Sequence, residues 1–207
     1  MIARRTPRKW ADILCACGVT PRTAARWAPV FAATIGPGTF SAGDGELGDF
    51  LGQVLHESAL LERLEEGLVY TRPERLCEVW PSRFRAMADA QACVRNPQAL
   101  ANKVYGGRMG NMASGDGYRY RGRGLIQVTG RDNYAAVSRA IGVDLVSNPD
   151  KLSLPETALS ASIAWWEGRI PDAAMGDVKR ITKLVNGGTA GLDDRAKLAA
   201  RAARALA

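Results

Sequence analysis

The amino-acid sequence predicts a mainly α-helical protein. Helix-start signals recur, since Thr6-Pro7 and Thr20-Pro21 each place a capping side chain before a proline suited to the first helical position. Apolar residues follow at intervals of three and four, a spacing that gathers side chains on one face of a helix. These two observations favour helices through most of the chain.

The first two predicted helices carry apolar side chains in a regular pattern. The second helix ends at Gly36-Pro37-Gly38, a sequence that breaks helices. Two short basic helices in succession also resemble a DNA-binding helix-turn-helix. The apolar pattern is more typical of a packed core. The predicted core positions are Trp10, Ile13, Leu14, Trp27, Val30 and Phe31.

The stretch from Phe50 to Tyr70 holds the residues best suited to acid–base chemistry. It contains the chain's only histidine, His56, with Glu57 beside it and Glu66 nine positions further on. Its first half is apolar at helical spacing, so those side chains share one face, and Glu57 lies at the border of that face. Burial there favours the protonated form of a carboxyl group, which makes it a better proton donor near neutral pH.

The spacing between Glu57 and Glu66 sets a condition on their cooperation. At about 100° per residue, an unbroken helix would point two side chains nine residues apart in opposite directions. A shared reaction therefore requires the helix to end between them. The residues from Ser58 to Glu66 contain no glycine or proline, so Gly67 is the first predicted stop. The alternative is that the glutamates from Glu62 to Glu66 form a solvated helix face without a chemical role.

The segment from Gly106 to Gly130 differs in character from the helical stretches. It is rich in glycine and interleaves arginines with Tyr118 and Tyr120. It is too glycine-rich for a helix and too long for a plain connection, and long ordered loops of this kind often line binding sites. Interleaved arginine and tyrosine also resemble a surface for single-stranded nucleic acid. The composition alone does not decide between a loop that lines a binding site and a nucleic-acid surface.

Further elements are predicted after this segment. Leu125–Val128 is predicted to be a short buried strand or extended segment, with Gln127 as its one polar side chain. Thr129 begins a TGRD sequence, which has the pattern of a capping box and predicts the start of a helix. The Asn-Gly-Gly sequence at Asn186 predicts a left-handed helix end. Residues 193–207 are predicted to form an alanine-rich helix.

Length, charge and cysteine content bound the class of protein. The 207 residues predict one domain, 1–207, with the helices of residues 1–40 packed on the rest. A net charge of +7 predicts attraction to polyanions such as nucleic acid, anionic lipid, lipopolysaccharide or peptidoglycan. One histidine and four cysteines without a CxxC pair cannot complete the usual zinc patterns, and buried thiols are expected. No apolar run approaches the roughly 18 residues of a membrane helix, and the basic N-terminus, interrupted by Asp12, is not predicted to be a signal peptide.

Three separated segments of the chain carry a family resemblance. They are FLGQVLHES followed by LEEGLVY, then YRGRGLIQVTGRDNY, then ITKLVNGG followed by an arginine. On these segments the chain resembles glycoside hydrolase family 19, the chitinase-like family, and more closely its bacteriophage endolysin branch. The segments occur in the family's order and cover about residues 45–195. The glycine pair common in the family after His-Glu-Ser is here Ala59-Leu60, so the turn between the carboxylates is expected to differ.

The resemblance implies a lysozyme/chitinase-like, two-lobed helical fold with a central substrate cleft. It implies glycoside hydrolysis with Glu57 as the general acid and Glu66 as the base that activates water. Glu65 is the fallback for the base, and Thr129 fits the hydroxyl that helps to hold the water. No metal or other cofactor is implied. The implied substrate-binding residues are His56, as a hydrogen-bonding group beside the acid, and Tyr70, Tyr105, Gln127, Asn133, Asn186 and Arg195.

Peptidoglycan is expected as the substrate, because the closer motif match is to endolysins and the basic charge suits an acidic wall. The expected reaction is of the muramidase type and inverting. We expect a monomer that accumulates in the host cytoplasm without a signal peptide and reaches the wall of a Gram-negative host through a holin pore. The last helix is a candidate for contact with an anionic outer membrane, although a scaffold role is favoured. Chitin hydrolysis and a non-catalytic nucleic-acid-binding role are the alternatives, and no nucleic-acid partner is expected.

Overall fold

The computed structural model describes residues 3–207 and confirms a mainly α-helical fold. Among these residues there is no β-strand, and isolated bridges join Arg123 to Glu65 and to Val128. Two 3₁₀ helices, Pro149–Ser153 and Asp172–Ala174, are also present. The α-helices of the described residues are α1 Pro7–Ala16, α2 Pro21–Thr34, α3 Asp44–Glu57, α4 Pro73–Val79, α5 Met87–Gln91, α6 Pro97–Tyr105, α7 Asp116–Arg119, α8 Arg131–Ile141, α9 Pro155–Glu167, α10 Val178–Asn186 and α11 Leu192–Leu206.

The chain divides into two compact units, each with its own apolar core. The first unit contains the residues up to 64 together with 124–126 and 152–207, and the second contains 65–123 and 127–151. Glu57 therefore belongs to the first unit and Glu66 to the second. The expectation of a single catalytic domain over residues 1–207 stays a prediction.

Helices α1 and α2 build part of the first core, as their apolar pattern predicts. The side-chain oxygens of Thr6 and Thr20 each accept a hydrogen bond of 3.3 Å from the backbone N–H three residues further on, which confirms both caps. Trp10 and Trp27 both pack against the ring of Phe31, and all three side chains are fully buried. The six predicted core positions are buried, so their place is the interior and not a surface that reads DNA.

Helix α3 is enclosed far more completely than its sequence predicts. The sequence indicates one apolar face, yet every residue from Glu46 to Leu55 is buried. Helix α11 packs along α3. The two backbones approach closely at Gly52, where a Cβ atom would lie 2.7 Å from the Cβ of Ala199. The docked C-terminal helix is consistent with the scaffold role favoured for it, and no helix within residues 3–207 has the length and apolar character needed to cross a membrane.

The second core lies among α4, α5 and α6 and the segment before them. Tyr70 packs edge-on against Trp80, with 5.4 Å between the ring centroids. The expectation of buried cysteines is confirmed for Cys93 in this core and for Cys17 in the first, and it is wrong for Cys15, which is exposed. The buried members of the second core are Leu68, Leu76, Phe84, Ala90, Cys93, Leu100, Ala101 and Val104.

Two predictions near residue 127 are wrong. Leu125–Val128 forms a turn and not a strand, and Gln127 within it has a φ of 54°, in the left-handed region. The helix that follows begins at Arg131, with Gly130 as its N-cap at a φ of 90°. The capping box fails because the Thr129 hydroxyl bonds back to the carbonyl of Gln127, at 3.0 Å, and does not cap the helix.

Carboxyl groups gather where α3 meets the end of α9. The buried carboxylate of Glu46 accepts hydrogen bonds from the Trp166 indole N–H at 2.8 Å and from the Ala42 backbone N–H at 2.6 Å. Partial burial of the carboxyl group, followed by a hydrogen bond and charge repulsion from Glu46, raises the pKa of Glu167 to about 7, although the residue as a whole is solvent-exposed. Burial also raises the pKa of Asp49, one turn further along α3. The fold therefore favours a protonated acid at Glu167.

The close contact at Gly52 generates the first prediction. Gly52→Ala is expected to destabilise the protein by about 1–3 kcal/mol, because the added methyl group meets the backbone and Cβ of Ala199. Gly45→Ala is the matched control in the same helix, since its added Cβ meets nothing within 4 Å. The control is expected to gain up to about 1 kcal/mol from helix propensity. Urea denaturation measures the free energy of unfolding of both variants. Equal changes in the two variants would contradict the close packing of α11 on α3.

The pKa of Glu167 generates the second prediction. Because its pKa is higher in the folded protein, the stabilisation by protonated Glu167 is complete below about pH 4.5 and is lost as the pH rises through about 7. Glu167→Gln imitates the protonated acid and is expected to match the wild type at pH 4.5. At pH 8 the variant should be more stable, by less than about 1 kcal/mol since the residue is solvent-exposed. The free energy of unfolding of both proteins is measured by urea denaturation at both pH values. A stability difference between them that does not change with pH would contradict the prediction.

Candidate active site

Helix α3 ends at Glu57 in a turn that the sequence does not announce. Ala59, Leu60 and Leu61 have φ values of 49°, 59° and 69°, all left-handed and none at a glycine. Such conformations typically cost about 1 kcal/mol or more for each residue. The Ser58 hydroxyl supports the turn, because it donates to the Val54 carbonyl at 2.6 Å and accepts from the Leu61 N–H at 2.9 Å. The helix therefore ends between the two glutamates, and the alternative of a solvated acidic helix is wrong.

The carboxylate of Glu57 is held by a buried guanidinium. Arg195 is 2% exposed, and its Nη2 donates to Glu57 Oε1 at 2.5 Å. Its Nη1 donates to Gln53 Oε1 at 2.6 Å, and its Nε donates to the Ala190 carbonyl at 3.1 Å. The Glu57 side chain keeps 22% of its surface exposed. The carboxyl group is thus oriented by a fixed partner and still accessible to a substrate.

A second pair lies directly beside the first. His56 Nδ1 is 2.6 Å from Asp194 Oδ2, so adjacent residues of α3 pair with adjacent residues of α11. The imidazole ring lies against Gly191, where a Cβ would come within 2.3 Å of it. This close approach requires glycine, which also supplies the φ of 71° at the start of α11. His56 is therefore a hydrogen-bonding group that fixes the two helix ends together.

Asn186 also lies in the first unit, as the last residue of α10, and is exposed. Gly187 follows it at a φ of 75°, which confirms the predicted left-handed helix end. Arg195 makes the contacts with Gln53 and Glu57 that sequence reasoning did not foresee, since it regarded the arginine as a sugar-binding group. Gln53 was missed altogether. The signal that identifies it is its position one helical turn before Glu57 on the same face.

In the second unit, Glu66 is bound at both carboxylate oxygens. Oε1 accepts a hydrogen bond of 2.6 Å from the Gly122 backbone N–H, and Oε2 accepts one of 2.7 Å from the Tyr105 hydroxyl. The Glu66 N–H in turn donates to the Gly122 carbonyl at 3.0 Å. Burial, and then the adjacent Glu66 charge, raise the pKa of Tyr105. Both effects favour the protonated phenol, which is the form that donates to Glu66.

A small space lined by three candidate residues lies against Gly122. A Cβ at this glycine would lie 3.0 Å from Gln127 Oε1, 3.2 Å from Thr129 Oγ1 and 3.3 Å from the Glu66 carboxyl carbon. Asn133 holds the backbone at Thr129 in place, because its Nδ2 donates to the Thr129 carbonyl at 2.7 Å. The structure thus brings a carboxylate, a hydroxyl and an amide together around a residue without a side chain.

Glu65 has ionic partners of its own, unlike its neighbour Glu66. Arg121 Nη2 lies 2.7 Å from Glu65 Oε2, and Arg123 Nε lies 3.5 Å from Oε1. Arg123 is 1% exposed and also pairs with Asp150 at 2.6 Å. A carboxylate between two arginines is fixed as an ion-pair partner, which leaves Glu66 as the better candidate for a base.

The arginines of the glycine-rich segment are directed at the protein itself. Arg119 donates to the carbonyls of Val146 and Ser147, and Arg121 lies over the Tyr118 ring at 4.3 Å. With Arg123 buried, three of the arginines are already bound internally. These contacts engage three of the segment's arginines within the protein, while Arg108 and Arg119 are exposed to solvent. A surface for nucleic-acid bases therefore stays an alternative.

Tyr70 and Tyr105 are half-buried in the second unit, and each has a protein partner. Tyr70 packs on Trp80, while the Tyr105 hydroxyl is bound to Glu66. Their predicted contact with sugar rings stays a prediction, and so does the sugar-binding role of Asn186. Within residues 3–207, no group of three or more histidine, cysteine, aspartate or glutamate side chains is arranged to hold a metal ion.

Comparison with known proteins places this arrangement in a family. The family described as chitinase class I, glycosyl hydrolase family 19, matches residues 87–188. A glycosyl hydrolase family 19 domain-containing protein of Haemophilus influenzae is 38% identical over 152 residues, which cover 72% of this chain and 74% of that protein. This chain belongs to glycosyl hydrolase family 19. It is a glycoside hydrolase, as the motifs predict, while the endolysin branch stays a prediction.

Other relatives of this family 19 glycosidase are chitinases. Chitinase 8 of Oryza sativa subsp. japonica is 34% identical over 91 residues, which cover 33% of this chain and 35% of that protein. The crystal structure of chitinase C from Streptomyces griseus superposes with a TM-score of 0.56 at 17% identity, covering 95% of this chain and 91% of that one. This likeness confirms the chitinase-like helical fold predicted from the sequence.

The space at Gly122 generates a third prediction. Gly122→Ala is expected to lower the rate of glycosidic hydrolysis by about 10- to 100-fold, because the methyl group displaces Gln127, Thr129 or Glu66 by tenths of an ångström. The matched control is Gly67→Ala, beside Glu66, whose added Cβ meets nothing within 4 Å. Rates on peptidoglycan and on chitin oligomers, with melting temperatures, are the measurement. A folded Gly122→Ala variant at full rate would show that the space has no part in the reaction.

Proposed function

We propose that this family 19 hydrolase cleaves the β-1,4 glycosidic bonds of bacterial peptidoglycan by inverting general acid–base catalysis. The observation that carries the proposal is that each of the two candidate carboxylates is held by its own set of donors, and the two sets differ. Glycoside cleavage needs two carboxyl groups in different protonation states, one as acid and one as base. The cation Arg195 holds Glu57, whereas the neutral donors Gly122 and Tyr105 hold Glu66.

Glu57 is the proposed general acid, which protonates the leaving glycosidic oxygen. Arg195 holds one of its oxygens, so the carboxyl group has a single orientation toward a substrate. When Glu57 has given up its proton, the guanidinium stabilises the carboxylate that forms. Arg195 is thus proposed to position the acid from the protein side, through contacts in which Gln53 also takes part.

Glu66 is the proposed base, which removes a proton from the attacking water. Gly122 and Tyr105 each donate a hydrogen bond to one of its oxygens, so the carboxyl group is held in one orientation. The Thr129 hydroxyl lies beside the same position at Gly122. It is proposed to form a hydrogen bond with the attacking water, as donor or as acceptor. Gln127, whose Oε1 lies beside the same position at Gly122, is proposed to contact the acetamido sugar.

The net charge of +7 supports peptidoglycan over chitin, since peptidoglycan carries carboxylates and chitin is neutral. With that substrate, the biological role that we propose is lysis of a bacterial host by a phage endolysin that reaches the wall through a holin pore. Chitin is the second candidate substrate, because the named relatives include Chitinase 8 and chitinase C. Both polymers contain β-1,4-linked N-acetylated sugars, so the same carboxyl pair serves either one.

Digestion of purified Gram-negative peptidoglycan and of chitin oligomers tests the proposal. Glu57→Gln and Glu66→Gln are each expected to lose at least about 100-fold in rate, because a positioned acid or base contributes about 10²–10⁴-fold. Mass spectrometry should find reducing muramic acid ends in the wild-type products, and NMR of the first products should show inversion. Glu65→Gln, adjacent to the base, is the control and should keep most of the activity if it remains folded.

Each outcome of this digestion has a defined meaning. Release of muropeptides by the wild type, with silence of both folded glutamine variants, supports the substrate and both roles. Cleavage of chitin alone would overturn the peptidoglycan assignment and leave the acid and base in place. Loss of activity in Glu65→Gln with retention in Glu66→Gln would transfer the role of base to Glu65.

A further inference from the structure

A separate polar pocket lies on the first unit, beside the turn that follows Glu57. Its volume is about 440 Å³, and its lining residues are Thr20, Arg22, Thr23, Arg26 and Glu62. None of these side chains is assigned to glycosidic cleavage above. A volume of this order is within the range of pockets that bind small molecules or peptide segments.

Positive charge dominates the wall of this pocket. Arg22 and Arg26 lie four residues apart on the same exposed side of α2. Arg26 donates to the Leu61 backbone carbonyl at 3.3 Å, and within residues 3–207 neither arginine forms an ion pair with a carboxylate. Two guanidinium groups without an anion are suited to bind carboxylates, in bidentate geometry where the ligand permits it.

Glu62 adds a single negative charge to the same wall. The Thr23 hydroxyl donates to its carboxylate, so the side chain is held in place and one carboxylate oxygen has a protein partner. Glu62 makes no salt bridge with either arginine of the pocket. The wall therefore offers two cations and one anion, which matches a ligand with several carboxylates and one amine.

We infer that this pocket binds the acidic peptide stem of peptidoglycan, with Arg22 and Arg26 on its carboxylates and Glu62 on its free amine. The inference rests on the proposed function, since it assigns a second part of the same substrate. In a Gram-negative wall this stem carries carboxylates on its D-glutamate, diaminopimelate and terminal alanine residues. The uncrosslinked diaminopimelate also carries a free ammonium group. Chitin has no such stem, so the pocket would distinguish the two polymers.

The position of the pocket along the chain agrees with the length of such a stem. Glu62 follows Glu57 by five residues, so their Cα atoms are at most about 18 Å apart. The left-handed turn at residues 59–61 makes the real separation shorter. A stem of four residues spans about 14 Å when extended. The two lengths are of the same order, so the proposed binding of a muramic acid at Glu57 is compatible with a peptide that ends in the pocket.

Calorimetric titration of the full chain with a free stem tetrapeptide tests this inference. The tetrapeptide has no glycosidic bond, so the wild-type enzyme does not cleave it. Arg22→Gln combined with Arg26→Gln is expected to weaken its binding at least about tenfold, since charge-assisted hydrogen bonds are lost. Hydrolysis of chitin oligomers by the same variant is expected to be unchanged. The alanine N-terminus of the tetrapeptide is acetylated throughout, because it is an amide in the wall. Further acetylation of the diaminopimelate amine should weaken binding to the wild type and have no effect on a Glu62→Gln variant.

The control carries the same loss of charge at a different place. Arg8→Gln combined with Arg204→Gln changes two exposed arginines that do not line the pocket. This control is expected to bind the tetrapeptide as the wild type does. Equal weakening in both double variants would overturn the inference, because binding would then depend on overall charge and not on the pocket.

Failure of the pocket and failure of the proposed function give different results. If the wild type digests peptidoglycan but the Arg22 and Arg26 variant binds the tetrapeptide normally, or no protein binds it, the pocket assignment is wrong and the function stands. If the wild type leaves peptidoglycan intact and yet binds the tetrapeptide through the two arginines, the substrate proposal fails. The pocket would then stand as a site for an acidic peptide.

Discussion

The structure of the first unit depends on the hydrogen bonds that the buried guanidinium of Arg195 must form. The Arg195 guanidinium is almost fully enclosed, and a charged group there is stable only when its N–H groups are bound. Glu57, Gln53 and the Ala190 carbonyl satisfy this need, and they come from α3 and from the segment before α11. The requirement therefore fixes how α11 lies along α3. The same contacts orient the carboxylate proposed as the acid, so packing and chemistry depend on one interaction.

In the second unit, neutral hydrogen-bond donors hold the candidate base Glu66. Glu66 is held by a backbone N–H and a phenol, both of which stay neutral, and no described ion pair involves it. Its neighbour Glu65 takes the arginines instead. The two adjacent glutamates thus differ in role because they have different partners. Glu65 pairs with arginines and is structural, whereas Glu66 is the candidate base. Backbone strain accompanies this division, since Gln127 near Glu66 and Ala59 after Glu57 both have left-handed φ values.

The surplus of basic residues has two kinds of use in this protein. Three arginines of the glycine-rich segment, Arg119, Arg121 and Arg123, are engaged with carbonyls, carboxylates and aromatic rings of their own unit. Arg22 and Arg26 on α2, in contrast, line an open pocket without a carboxylate partner among the described residues. Net charge by itself does not separate these cases, because it counts charges and not their partners.

The sequence by itself determined the features whose causes are local. The caps at Thr6 and Thr20 and the helix end after Asn186 could be predicted, since a few neighbouring residues decide them. The two candidate carboxylates were indicated by the family resemblance of three separated segments, while the local pattern left their role open. Only the tertiary structure decided how α3 ends, because three consecutive non-glycine residues become left-handed to bury Leu61 and to seat the Ser58 hydroxyl. The turn at residues 125–128, the failed capping box and the buried arginine pairs have the same origin. Their conformations are set by partners that lie far away in the chain, and no local pattern contains that information.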